Sequence, residues 1–177
     1  DGVGFLRSLG EHYAKPLSES IFVCLGAGGA ARAICSSLAY RGAAKIIVSS
    51  LFDWESEQLV QNINANFAPV ASMIPWGEQQ ALLHMIINAT GVGMGAHVGE
   101  SPVDKAIFRP GMVAFDAAYN PSVTKFLADA ADCGCTTFNG LGMLLYQGTA
   151  QFELWTGTQA PVDLMRQTLE ESIGSKA

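Results

Sequence analysis

The sequence predicts an α/β domain built on a doubly wound, mostly parallel sheet, and three observations carry that prediction. Short apolar runs of strand length alternate with segments of helical period along almost the whole chain. Glycine, proline or polar residues bound those runs. The first of them, Phe22-Val23-Cys24-Leu25, breaks into glycines and resumes as a helical pattern. With 177 residues, 49% hydrophobic and 15% charged, the chain can bury the core of one ordinary domain and is too apolar for disorder.

Each element follows from local pattern. Val3, Phe5, Leu6 and Leu9 make an amphipathic helix over 1–13, with Asp1 as a possible cap and Pro16 beyond its end. Strand one is 21–25, followed by a helix at 28–40 that Gly42 stops. The branched run Lys45-Ile46-Ile47-Val48-Ser49 reads as a strand covered on both faces. Helical spacing returns at 53–67 through Leu59, Val60, Ile63 and Phe67, and Pro69 closes it. Strands are expected at 71–74, 84–88, 113–116 and 136–138, with a short helix at 78–82, a glycine-rich loop at 91–101 and a helix at 124–131. Residues 141–155 form a long helix that is apolar nearly all round and so must be covered on more than one side. A last helix runs over 161–173, and 174–177 should fray.

The spacing Gly26-x-Gly28-x-x-Ala31 has the dinucleotide-binding form. Gly26 permits the turn, Gly28 lets backbone approach a pyrophosphate, and Ala31 lets helix and strand pack closely. The helix N-terminus after Gly28 offers free N–H groups and positive dipole to an anion, with Gly26, Ala27, Gly28, Gly29 and Ala30 as its cradle. A tight turn can need glycine for geometry alone, but the position between a strand and a helix favours nucleotide binding and makes the domain Rossmann-like. In such a sheet the strand ends bring Gly26, Ser49, Asn88 to Thr90 and Asp116 to Asn120 into one crevice.

The end of the second strand reads Ser49-Ser50-Leu51-Phe52-Asp53, without charge at its tip. Asp53 can turn back toward a ribose or cap the next helix, and both readings stand. Asn88-Ala89-Thr90-Gly91 pairs hydrogen-bonding side chains with a loop that can approach a flat ring; a capped strand end is the plainer reading. His12, His84 and His97 have no acidic neighbour in sequence placed to orient them, so packing or solvent roles are expected. Cys24, Cys35, Cys133 and Cys135 lack the companions of a zinc site and read as buried reduced thiols. No serine-hydrolase elbow or zinc-protease motif occurs.

A net charge of −6, a pI near 4.9 and scattered Lys and Arg disfavour nucleic acid and point to a small-molecule partner. No apolar run approaches the ~18 residues of a membrane span and no signal peptide opens the chain, so a cytoplasmic, soluble protein is expected.

Five segments give the chain a resemblance: Asp1-Gly2-Val3-Gly4-Phe5, the glycine turn from Gly26 to Ala33, Asn88 to Met94, Asp116-Ala117-Ala118-Tyr119-Asn120-Pro121-Ser122-Val123-Thr124, and Asn139-Gly140-Leu141-Gly142-Met143-Leu144-Leu145-Tyr146-Gln147-Gly148. In this order they resemble the C-terminal, nucleotide-binding half of shikimate dehydrogenases and the related quinate dehydrogenases. The resemblance implies reversible oxidation of a cyclic hydroxy acid, shikimate or quinate, with NADP or alternatively NAD. It implies Asp1 as one of a catalytic aspartate and lysine pair, Tyr119 and Gln147 on the substrate, and Asn88, Ala89, Thr90, Gly91, Gly140 and Met143 around the nicotinamide. It also implies that 1–177 is a single dinucleotide-binding domain whose helices at 1–15 and 140–177 face an N-terminal substrate domain absent from this chain. Two departures stand against the pattern. No lysine here lies in a segment like that of the catalytic lysine, and Ser49-Ser50-Leu51 replaces the usual Asn-Arg-Thr, which leaves NADP or NAD open. A non-catalytic dinucleotide-binding module is the alternative, with a folate or glutamyl-tRNA dehydrogenase third.

Overall fold

The computed structural model describes residues 1–78 and 84–174. Six strands form one sheet: β1 (Ile21–Leu25), β2 (Lys45–Ser49), β3 (Ala71–Met73), β4 (Met85–Asn88), β5 (Val113–Asp116) and β6 (Thr136–Asn139). Their order is β3-β2-β1-β4-β5-β6 and every pairing is parallel. The chain winds outward from β1 to β3, then returns to the other side of β1, which creates the switch point where ligands of such sheets bind. The helices are α1 (Gly2–His12), α2 (Gly29–Tyr40), α3 (Asp53–Asn66), α4 (Lys125–Asp132), α5 (Leu141–Thr156) and α6 (Val162–Gly174). The helix expected at 78–82 lies, apart from Glu78, outside the described residues, and so does the fraying end beyond Gly174.

Alternation along each strand divides the core between two faces. Phe22, Cys24, Ile46, Val48, Met85, Ile87, Val113 and Phe115 pack with Phe5, Ile34, Leu38, Leu59 and Ile63 of α1, α2 and α3. On the opposite face Val23, Leu25, Ile86 and Ala114 meet Phe126, Leu127 and Ala130 of α4, together with Phe108 and Met112. β1 is therefore covered on both sides, as its unbroken apolar run requires.

Three features depart from the sequence expectation for physical reasons. α4 begins one residue late because Thr124 is its cap, its hydroxyl accepting from the Leu127 N–H at 3.3 Å. α3 starts at Asp53 itself with Phe52 in the capping position, so Asp53 is not the cap. Helix α5 is not covered throughout: Met143, Leu145 and Thr149 are buried, whereas Leu154 is 80% and Trp155 77% exposed. Apolar periodicity reports that a face is greasy; it does not say whether this chain covers it.

α1 and α5 touch backbone to backbone. A Cβ on Gly4 would lie 2.2 Å from the Met143 carbonyl oxygen, and one on Gly142 would lie 2.4 Å from the Ser8 hydroxyl. Gly10, on the same helix as Gly4, has open space around it. Gly4→Ala should thus destabilise by about 1–3 kcal/mol through overpacking, whereas Gly10→Ala should stabilise by about 0.5–1 kcal/mol through helix propensity. Thermal unfolding of the two variants checks this, since each kcal/mol moves Tm by about 2–4 °C in a domain of this size; shifts of the same sign would refute the contact.

Candidate nucleotide-binding site

The turn after β1 is built by exclusion. Gly26 has φ of +97°, where L side chains are strained, and a Cβ there would stand 2.8 Å from the Ala89 carbonyl oxygen. Its N–H donates to the Ser49 carbonyl at 2.7 Å, so the loop starts pinned to the end of β2. Gly28 precedes α2 in an extended conformation, and nothing lies within 4 Å of the Cβ position of Gly28 or Gly29. The first amides of α2, as at any helix start, have no intrahelical partner. Arg32 braces the loop from behind, its Nε donating to the Ala27 carbonyl at 3.1 Å and its Nη2 to Gln58 on α3 at 2.7 Å.

An open cleft of about 270 Å³ lies in front of this turn. Gly26, Ala27 and Gly28 form its floor, Ser50, Leu51, Phe52 and Glu55 one side, Ala89, Thr90 and Gly91 the other, with Trp76 closing the rim. Ser50 is buried and its hydroxyl donates to Glu55 Oε2 at 3.0 Å while accepting from the Phe52 N–H at 3.3 Å. Ser49 instead turns its hydroxyl to the Pro75 carbonyl at 3.3 Å. Among the residues expected to bind cofactor, Ser49 thus braces the strand end, and Ser50 reaches the cleft together with Glu55.

The opposite wall rests on a buried network at the ends of β4 and β5. Asn88 Nδ2 donates to Asp116 Oδ2 at 3.0 Å and to the Val92 carbonyl at 3.0 Å, and its Oδ1 accepts from the Thr90 hydroxyl at 2.6 Å. Asp116 also accepts from the Thr124 hydroxyl at 2.7 Å and from the Ala118 N–H at 2.9 Å. Asn88 thereby shapes the loop that carries Ala89, Thr90 and Gly91 rather than lining the cleft. Burial pushes the Asp116 carboxyl above the ordinary aspartate range, against the lowering effect of these hydrogen bonds.

Gly140 joins α5 to this region: a Cβ on it would lie 2.0 Å from the Ala117 carbonyl oxygen. Behind it, Met143 is only 7% exposed and packs in the core. A Cβ on Gly4 would come 2.9 Å from the Gln147 N–H, so Gln147 on α5 and Asp1, one turn before Phe5, stand on neighbouring turns of two packed helices. Tyr119 is half-exposed in the loop after β5. Asp1, Tyr119 and Gln147 make no side-chain hydrogen bond among the described residues.

The histidines and cysteines do not line the cleft. His84 Nδ1 accepts from the Ile21 N–H at 3.0 Å, and His12 stacks on Phe138 with ring centroids 4.5 Å apart. His97 corrects the expectation that no acid attends a histidine, since its Nδ1 lies 3.2 Å from Glu100 Oε2 three residues on, at the exposed surface. Cys24 and Cys35 are buried, and the neighbouring Cys24 together with burial holds the Cys35 thiol well up. Cys133 and Cys135 are only half-buried, against the expectation of four buried thiols. Among the described residues no cluster could hold a metal ion, and no helix is long and apolar enough to cross a membrane.

The groups that sequence reasoning missed are Glu55 and Trp76, whereas Asp116 was placed in the crevice without a role. An acid in the first turn of the helix after β2 was the available signal for Glu55, but Asp53 stood nearer the strand and drew the reading. The Asp116 assignment has a pH signature. A carboxyl raised in the folded state contributes stability below the ordinary aspartate range and loses it as pH rises through the folded value. Asp116→Asn, which cannot titrate, should therefore cost more stability near pH 4 than near pH 7 in urea unfolding; an equal cost would remove Asp116 from the buried network.

Comparison with known proteins agrees with this arrangement. The model of the shikimate 5'-dehydrogenase C-terminal domain matches residues 140–170. The NADP(+) shikimate dehydrogenase of Moorella thermoacetica is 38% identical over 182 residues, covering 100% of this chain and 61% of that protein. The crystal structure of shikimate 5-dehydrogenase from Listeria monocytogenes with shikimate and NAD superposes with a TM-score of 0.89 at 34% identity, covering 96% of this chain and 62% of that one. The ligand-free 5-ketofructose reductase of Gluconobacter gives 0.87 at 37% identity, over 96% and 62% of the two chains. The chain thus spans about three fifths of the length of the relatives it matches. Over its whole length the chain is similar to the C-terminal portion of shikimate dehydrogenases.

Proposed function

We propose that this chain is the nucleotide-binding part of a nicotinamide-dependent oxidoreductase that interconverts shikimate and 3-dehydroshikimate. The observation that carries the reading is the cleft at the carboxyl ends of β1, β2 and β4, floored by Gly26, Ala27 and Gly28 at the start of α2, with nothing within 4 Å of the Cβ positions of Gly28 and Gly29. That space suits a pyrophosphate, and the shared architecture with a relative described with shikimate and NAD supports it. The bound dinucleotide supplies a hydride acceptor or donor.

The chain's own residues supply binding and alignment. Gly26 to Ala30 hold the pyrophosphate against the helix N-terminus, and Thr90 and Gly91 form the wall toward the nicotinamide. Asn88 and Asp116 keep that wall in place. Asp1 shares the substrate hydroxyl proton with a lysine outside these 177 residues, while Tyr119 and Gln147 orient the substrate. Alignment is the main kinetic contribution, because a misplacement of ~1 Å can cost ~100-fold in rate. The exposed Val3 on α1 and Leu154 and Trp155 on α5 suit contact with a substrate-binding segment that the longer relatives possess. The likeness to a 5-ketofructose reductase favours a second reading in which the same nucleotide part serves another polyhydroxylated ketone.

Calorimetric titration with NAD and NADP tests the placement. Gly28→Val, which meets no neighbour, should leave Tm unchanged and weaken dinucleotide binding by ~100-fold or more through blocked backbone approach. Unchanged affinity would overturn the pyrophosphate site. With the N-terminal segment of the Moorella thermoacetica relative joined ahead of Asp1, shikimate oxidation should appear, and Asp1→Asn should lower kcat by ~100-fold or more with dinucleotide affinity unchanged. Turnover of 5-ketofructose but not shikimate would select the second reading.

A further inference from the structure

The cleft contains a carboxylate where the two nicotinamide dinucleotides differ. We propose that it selects NAD over NADP, with Glu55 as the specificity-determining residue; this rests on the dinucleotide reading above. In doubly wound sheets the adenosine ribose lies beside the end of the second strand. An acid there accepts hydrogen bonds from the ribose hydroxyls, and a cation there accommodates a 2′-phosphate. Here the residue after β2, Ser50, donates its hydroxyl to Glu55 Oε2 at 3.0 Å, which holds that carboxylate at the strand end and against the cleft. Its other oxygen is left to accept from a ligand.

The complementary cation is missing. Residues 46–104 contain neither Lys nor Arg, so no Lys or Arg comes from α3, β3, β4 or the connections between them, and the one on β2, Lys45, opens the strand at the end away from the cleft. Arg32 is the basic group next to the glycine turn, and its guanidinium is committed to the Ala27 carbonyl and to Gln58. It does not line the cleft. Leu51 and Phe52, exposed at 68% and 59%, complete that side of the cleft with apolar surface that offers a phosphate no hydrogen bond. A 2′-phosphate dianion would thus exchange full hydration for a like charge, whereas a 2′-hydroxyl gains an acceptor.

Titration of the 177-residue chain with NAD and NADP decides the matter. NAD should bind at least ~10-fold more tightly. Glu55→Gln keeps an oxygen for the Ser50 hydroxyl and removes the charge, so it should narrow the ratio chiefly by strengthening NADP. Leu51→Arg should strengthen NADP by ~10-fold, the scale of one added charge pair near the surface. Asp53→Asn, a charge on the same helical turn outside the cleft, should leave the ratio within about twofold, because exposed charges are screened. Equal or tighter binding of NADP by the unaltered chain overturns the proposal and leaves the dinucleotide site standing. A ratio that Glu55→Gln does not move, or that Asp53→Asn moves as much, overturns the role of Glu55. Failure of both dinucleotides to bind overturns the site and the proposal together.

Discussion

The constraint on which the site depends is the crowding at Gly26. β1 is the centre of the sheet, and the chain leaving it must pass between the ends of β2 and β4. The Ser49 carbonyl takes its N–H on one side, and the Ala89 carbonyl oxygen would crowd a Cβ at 2.8 Å on the other. Only a residue without a side chain can thread that gap with φ of +97°. Once it does, the direction of the loop is set, α2 must start at Gly29, and its first amides, without intrahelical partners, lie at the crevice of the switch point. The cleft is a consequence of strand order plus one missing Cβ.

The second half of the crevice is held by a buried polar network, which is a costly way to hold anything. Asp116 is fully enclosed, and three donors from three segments converge on its two oxygens. A hydrophobic pair would tie β4 to β5 at less expense but would not set an angle. Hydrogen bonds fix Asn88, and Asn88 in turn fixes Thr90 and Val92. The energy lost in desolvating a carboxylate is exchanged for a loop whose backbone position is defined on both sides. Gly140, pressed on the Ala117 carbonyl, then carries that position to α5 and through Gly4 to the start of α1.

Much of this was legible in the sequence, and the failures share a cause. β1, β2 and β5 run over the very residues the apolar runs indicate, because a strand buried on both faces has no alternative pattern. Gly26, Gly28 and Ala31 announce the turn because backbone geometry there admits so few side chains. What stayed hidden depends on where a side chain points. Asp53 and Glu55 are equally acidic and two residues apart, yet the helix turns one into solvent and the other onto Ser50. Leu154 and Trp155 look like core by composition and are outside by position. His97 finds Glu100 only after the loop folds into a short turn between Gly95 and His97. The family resemblance reached Asp1, Tyr119 and Gln147, for which spacing alone offered nothing.

The architecture separates affinity from discrimination. For a dinucleotide seated at the glycine turn, attraction comes from backbone N–H groups and the α2 dipole acting on a pyrophosphate that both nicotinamide dinucleotides share. Those groups cannot tell the two apart. The net charge of −6 disfavours the more anionic one, but mobile ions screen such distributed charge beyond roughly 8–10 Å. Discrimination is left to groups within a few ångströms of the adenosine ribose, all of them side chains on β2's exit and the first turn of α3. Because those side chains carry no part of the sheet's hydrogen bonding, they can change sign without disturbing the fold. A family can therefore hold its nucleotide architecture constant while individual members differ in the cofactor they take.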